Sequence, residues 1–166
     1  VNHVPGAVDD TDTTDEDTAI SRDAANGVID PNDRDADGDA LTVAQVAGAA
    51  DNVGNATTGD NGGAFNVTTD GSYNFDPGTA FDDLAVGESA ATSVTYQVAD
   101  GNGGTDTATL TVTVTGENDA PTTTGLGNRT SDDGEAISVD TSTAFSDADA
   151  TDTLEYSATG LPPGLS

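Results

Sequence analysis

The chain has no cysteine, no methionine, no tryptophan and no lysine. The missing cysteine excludes a disulfide framework, a thiolate metal site and a thiol nucleophile. Positive charge is nearly as scarce. Arg22, Arg34 and Arg129 stand against 31 Asp and Glu residues, mostly Asp, and the net charge is -28. Such a chain has no electrostatic help in approaching nucleic acid or an anionic membrane, and its natural partners are cations. Three Tyr and four Phe are too few for the substrate-stacking cleft of a glycosidase, so paired carboxylates here do not point to an enzyme. No apolar run is long enough to span a bilayer, and residue 1 does not begin a signal peptide. The sequence reads as an interior piece of something longer.

What is present is strand pattern. In "TDTATLTVTVTG" (105–116), Ala108, Leu110, Val112 and Val114 share one face and threonines the other, the period of a half-buried strand. "SVTYQVADGNGG" places Val94, Tyr96 and Val98 on one face and turns at 100–104, so the two segments predict an antiparallel hairpin. Further strands are expected at 40–46, 64–69, 72–75, 136–140 and 154–158. No segment shows sustained helical period. Short strands separated by Gly, Asp and Asn turns predict an all-β sandwich. Few aromatics and high charge leave little apolar area to offset chain entropy. A fold stabilised by bound cations reconciles the two signals.

An internal repeat organises the chain. Asn2 and Pro5 match Asn118 and Pro121, Asp35 and Asp37 match Asp147 and Asp149, and Glu16 matches Glu135 more loosely. One module is expected over 1–118 and a second over 119–166. The second stops early, because only "LEYSATGLPPGLS" follows its aspartate loop. It is expected to be the first half of a split sandwich, completed elsewhere.

"NDRDADGDALTV" (32–43) alternates Asp33, Asp35, Asp37 and Asp39 around Gly38. Counting from Asp33 as an EF-hand loop, the twelfth position is Ala44 instead of Glu, and a strand follows where a helix is required. The EF-hand is excluded. Hard oxygen donors without His or Cys at ligand spacing select calcium over zinc or copper, and His3, the sole histidine, is expected to be an incidental surface residue. In a sandwich whose last strand is 105–116, the loop at Asp100–Asn102 lies at the end where the chain enters near Asn2. Glu16, Asp35, Asp37 and Asp100 are expected at that pole. Asn118 and Asp119 are expected at the other, beside Glu135, Asp147 and Asp149.

The segment "VADGNGG...ATLTVTVTGENDAP" resembles the end of a cadherin repeat, with its Ala-x-Asp-x-Gly loop, final strand and Asn-Asp-x-Pro linker. The paired aspartates and early glutamate resemble the other cadherin calcium motifs. With "DGSYNFDPG" and "FDDLAVGES", residues 1–121 are similar to the cadherin-like or VCBS-type repeats of large secreted bacterial RTX adhesins. Residues 122–166 resemble the front half of a dystroglycan-type (putative-Ig) cadherin-like domain. The resemblance implies several Ca2+ ions at interdomain junctions, held by Glu16, Asp35, Asp37 and Asp100 at one pole. At the other it implies Asn118, Asp119, Glu135, Asp147 and Asp149. The linker reads Gly116-Glu117-Asn118-Asp119-Ala120 in place of the family's Asp-x-Asn-Asp-Asn. The function implied is a calcium-rigidified, non-enzymatic extender of a secreted, surface-bound adhesin. Its partners would be adjacent domains of the same chain and a ligand-binding domain inserted after Ser166.

Three other readings are open. General salt adaptation spreads acidity over a surface, whereas here Asp clusters recur at matched repeat positions. A direct peptide or glycan binder would use the open edge of the second module. An accessory module of a carbohydrate-active enzyme would be linked to catalytic sequence. "DGNGG" sits in a hairpin and not between strand and helix, which excludes a phosphate-cradling loop.

Overall fold

The computed structural model describes residues 1–30, 32–127, 132, 138–157 and 159. Among them there is no α-helix, and ten strands form three sheets. The strands are β1 (Asp10–Asp15), β2 (Ile20–Arg22), β3 (Thr42–Val46), β4 (Thr57–Thr58) and β5 (Ala64–Val67). They continue as β6 (Tyr73–Asp76), β7 (Ser89–Ala99), β8 (Thr105–Thr115), β9 (Thr122–Thr123) and β10 (Phe145–Ser146). One four-stranded sheet has the order β1-β8-β7-β3 and the other β2-β6-β5-β4.

The long hairpin follows its alternation. β7 and β8 pair antiparallel from Ser89↔Thr115 to Ala99↔Thr105. Val94, Tyr96, Val98, Ala108, Leu110, Val112 and Val114 point inward and are buried. They meet Phe65, Val67, Tyr73 and Phe75 from the facing sheet, closed by Val28 and Phe81. Phe65 and Phe75 form a tilted pair with centroids 4.7 Å apart. Removing this apolar surface from water is what holds the two sheets together. In β3, Val43 and Val46 both enter the core although strict alternation puts them on opposite faces. An irregularity in the pairing with β7 between Val43 and Gln45 turns the second valine inward.

Sequence patterns did not mark β1 as a strand. It pairs parallel with β8, Asp10↔Leu110 through Asp15↔Thr115, at the sheet's edge. Its aspartates oppose pairing with another chain through charge. Asp12 also ties the edges of the two sheets, accepting hydrogen bonds from Arg22 Nη2 (2.7 Å) and the Tyr73 hydroxyl (2.6 Å). Beyond Gly116 the described residues form only the two-stranded β9–β10 sheet. The strand expected at 154–158 is not formed over 154–157, and 138–140 is likewise unpaired. Among the described residues no strand pairs with either segment, and β-propensity without a partner does not make a strand. The remainder of both segments, 136–137 and 158, lies outside the described residues.

A buried polar hub fastens the start of β1. The Tyr96 hydroxyl lies 2.8 Å from Asp10 Oδ2, 2.9 Å from Val28 O, 3.1 Å from Val8 O and 3.4 Å from Asp33 Oδ2. Asp33 accepts the Val8 N–H at 2.7 Å and is 3 % exposed. Burial pushes the Asp33 carboxyl up to about 6, repulsion from Asp10 adds to the rise, and the Val8 N–H opposes it. A carboxyl with a raised folded pKa binds its proton more tightly in the fold than in the unfolded chain. Its contribution is fully present below about 3.8 and is lost as pH rises through about 6. The Asp33→Asn variant keeps an acceptor for Val8 and carries no charge. It is expected to be more stable than the parent by about 1–2 kcal/mol above pH 6 and to lose that advantage near pH 4. Urea unfolding across that range checks this, and a gap that does not change with pH would contradict it.

Candidate metal centres

The first cluster is assembled from three segments. Asp35 Oδ1 accepts the N–H groups of Asp37 (2.8 Å) and Asp39 (3.3 Å). Gly38, at φ +79°, supplies the left-handed turn that this requires. Carboxylate oxygens of Asp35, Asp37 and Asp39 thereby lie within 4.8 Å of one another. The β7–β8 turn adds Asp100, whose Oδ1 accepts N–H groups of Asn102 (2.7 Å) and Gly104 (2.9 Å). Asn102 donates its side-chain amide to Asp39 at 2.7 Å. The chain start adds Asn2, which donates to Asp100 Oδ2 at 2.7 Å, and His3, whose N–H meets Asp37 Oδ2 at 2.7 Å. His3 Nδ1 lies 2.9 Å from Asp37 Oδ1. These donors hold the carboxyls of Asp37 and Asp100 below the ordinary range, His3 being the main cause for the first and Asn2 for the second. Asp35 Oδ2 is buried without a hydrogen-bond partner.

The second cluster lies where the sandwich ends. β1 delivers Glu16 alongside the end of β8, where its N–H donates to Thr115 O at 3.0 Å. Glu16 is 3 % exposed. Its Oε1 accepts the Glu117 N–H at 2.8 Å, and its Oε2 is buried without a partner. Asp149, also 3 % exposed, mirrors it from the other side of the linker. Asp149 Oδ2 accepts the Asp119 N–H at 3.0 Å, and Oδ1 has no partner. Asp147 Oδ1 accepts the Asp149 N–H at 3.2 Å, and oxygens of Asp147, Asp149 and Asp152 lie within 4.8 Å of one another. Burial raises the Glu16 carboxyl, as do Asp119, Asp149 and Asp17. Asp119 is raised by desolvation and by Asp149, Asp17, Asp82 and Asp147. This pole holds more negative charge than its hydrogen bonds absorb.

Asp35, Asp37 and Asp100 meet at the end where the chain enters. Asp119, Asp147 and Asp149 meet at the other. Glu16 was expected with the first group and lies with the second. The chain runs alongside β8 from Ala7, whose N–H meets Asp106, through the parallel β1 ladder to Glu16, whose N–H meets Thr115 O, and a residue early in the sequence thus arrives beside the linker. Asn118 turns its side-chain amide onto the Asp119 carbonyl at 2.6 Å. Glu135 lies outside the described residues. His3, read as incidental, sits on Asp37. Asp33 belongs to the Tyr96 hub, while Asp39 joins the first cluster. Asp152, Asp82 and Asp17 were not singled out from sequence. "DADATD" carries a signal for Asp152, a third carboxylate in one turn. Asp82 and Asp17 come near through loop packing, and nothing local marks them.

Two facing sheets with carboxylates gathered at both ends define an acidic-ended β-sandwich. The chain belongs to the bacterial cadherin-like domain family, whose profile matches residues 2–116. Cadherin-like domains are typically non-enzymatic and commonly bind calcium, and the bacterial ones are extracellular. No curated protein matches the chain. Among solved structures, it is similar to a nucleoside hydrolase-related hypothetical protein from Saccharophagus degradans that is associated with carbohydrate metabolism. That similarity has a TM-score of 0.38 and 16% identity, and covers 69% of this chain. The chain spans 26% of that protein's length, and a likeness at this score supports no statement about function. Among the described residues, no helix is long and apolar enough to cross a membrane.

Proposed function

We propose that this chain is a calcium-rigidified extender of a secreted bacterial surface adhesin. The sandwich over 1–118 serves as a spacer and 119–166 begins a second sandwich. The observation that carries the reading is the pair Glu16 and Asp149. Both are almost wholly buried, both clasp a linker N–H with one oxygen, and both leave the other oxygen without a partner. Buried carboxylates left in that condition are costly. A hard divalent cation bound by oxygen donors relieves the cost and suits calcium. Glu16, Asp119, Asp147 and Asp149 would hold it at the linker, and Asp35, Asp37, Asp39 and Asp100 at the chain's entry. Bound there, calcium supplies charge neutralisation that fixes the linker between sandwiches. A ligand-binding domain elsewhere in the same protein would then be held out at a fixed angle.

Small-angle scattering in calcium chloride and in chelator tests this reading. Calcium is expected to narrow the distribution of shapes, and Glu16→Gln or Asp149→Asn to raise the calcium needed by roughly tenfold. Identical scattering in chelator and in calcium would refute it.

A further inference from the structure

The two clusters share one local frame, and a single side chain separates them. Asp35 and Asp147 each accept the N–H of the aspartate two residues on. That second aspartate, Asp37 or Asp149, accepts an N–H from the incoming segment through Oδ2, from His3 in one case and Asp119 in the other. The sequence repeat places His3 opposite Asp119, one residue after the matched Asn2 and Asn118. At the linker pole that position contributes a carboxylate, and Asp149 Oδ1 has no hydrogen-bond partner. At the entry pole it contributes an imidazole, and Nδ1 covers the corresponding oxygen, Asp37 Oδ1, at 2.9 Å. Asn2 and Asn102 cover oxygens of Asp100 and Asp39 in the same pole. The entry cluster therefore covers Asp37, Asp39 and Asp100 with nitrogen donors and leaves one buried oxygen, Asp35 Oδ2, without a partner, while the linker cluster leaves such oxygens on both Glu16 and Asp149.

Calcium affinity rises with the number of charged oxygen ligands a site offers and falls when those ligands must first be freed. We propose that His3 sets the entry pole as the weaker of two calcium sites, by replacing a carboxylate and by occupying Asp37. The two poles then fill in order, the linker pole first. This rests on the calcium reading above and adds a rank and a residue that fixes it.

Amide NMR spectra of the whole chain, titrated with calcium chloride, separate the poles. Gly38, Gly101 and Gly104 report on the entry pole, and Glu117, Asp119 and Asp149 on the linker pole. The linker signals are expected to complete their shift at roughly tenfold lower calcium than the entry signals. H3D is expected to bring the entry midpoint to within about threefold of the linker midpoint. H3A, which only uncovers Asp37, should gain about three- to fivefold. The reciprocal D119H is expected to weaken the linker pole by about tenfold and leave the entry pole unchanged. A shared midpoint in the parent chain, or an entry midpoint that H3D does not move, overturns the assignment while leaving calcium binding intact. Entry signals that never move in parent or variant overturn it as well. A stoichiometric response of the entry signals to zinc chloride that H3D abolishes also overturns it, because His3 would then be a ligand and not a competitor. If neither set shifts in any variant, the calcium reading itself fails.

Discussion

Replacing Gly116 with alanine is expected to cost the sandwich more than about 3 kcal/mol and to lower its melting temperature by about 10 °C or more. Gly116 is the residue where β8 gives way to the linker. It is buried, and its N–H donates to Glu88 O at 3.1 Å. A Cβ there would overlap the carbonyl oxygens of Leu84 and Ala85. Both are backbone atoms, so no rotamer change relieves the clash. Either the 81–88 loop or the linker must move. Moving the loop opens the core beside Phe81, and moving the linker pulls the Glu117 N–H off Glu16. With calcium at Glu16 as proposed above, the variant should lose calcium-dependent stabilisation along with basal stability. Gly6→Ala is the control, since a Cβ there would meet Arg34 O at an ordinary 3.8 Å. Thermal unfolding of both variants in chelator and in calcium checks the point. A Gly116→Ala chain that melts like the Gly6→Ala chain would show that the loop yields freely.

Removing one oxygen from the core gives the second large effect. Tyr96→Phe is expected to cost about 2–4 kcal/mol at neutral pH. The ring stays and fills the same space, so the loss is that of the hydroxyl. That hydroxyl faces oxygens of Val8, Asp10, Val28 and Asp33, and without it they have no shared proton among them. In acid the cost should shrink, because a protonated Asp33 can itself donate. Urea unfolding gives the free energy. Hydrogen exchange gives the location, with faster exchange expected at Val8 because Asp33 holds its N–H. A loss below about 0.5 kcal/mol at neutral pH would mean that the hub is held by its other bonds.

The fold was legible wherever inward positions are apolar. β7 and β8 alternate cleanly, and their facing strands carry Phe65, Val67, Tyr73 and Phe75 at the expected parity. β1 was not legible because "DTDTTD" offers no apolar residue to reveal its inward face. Asp10 and Asp12 point to polar partners, the Tyr96 hydroxyl in one case and Arg22 with Tyr73 in the other. Its strand partner is also β8, at the far end of the module's sequence, and non-local pairing leaves no local trace. The misplacement of Glu16 follows from that single omission. The aspartate triplets were legible because alternate carboxylates in a Gly-bearing turn converge through short-range backbone bonds. The contributions of Asp17 and Asp82 were not, since only the tertiary packing of the 81–88 loop and the end of β1 sets them near Asp119. His3 is at the surface as expected, but its hydrogen bond to Asp37 was not legible for a related reason. Ligand spacing along the chain says nothing about a residue that reaches its carboxylate from 34 positions away.

The parallel pairing of β1 and β8 has a consequence for how the module bears load. The sandwich is entered beside Asp100 and left beside Glu16, at opposite ends, and its first and last strands lie side by side over six residue pairs. Tension between those ends slides the two strands lengthwise past each other. All the rungs then share the load and must fail together, where an antiparallel pair pulled from one end would unzip rung by rung. The module is thus arranged as a shear clamp, strongest along the line that joins its two ends.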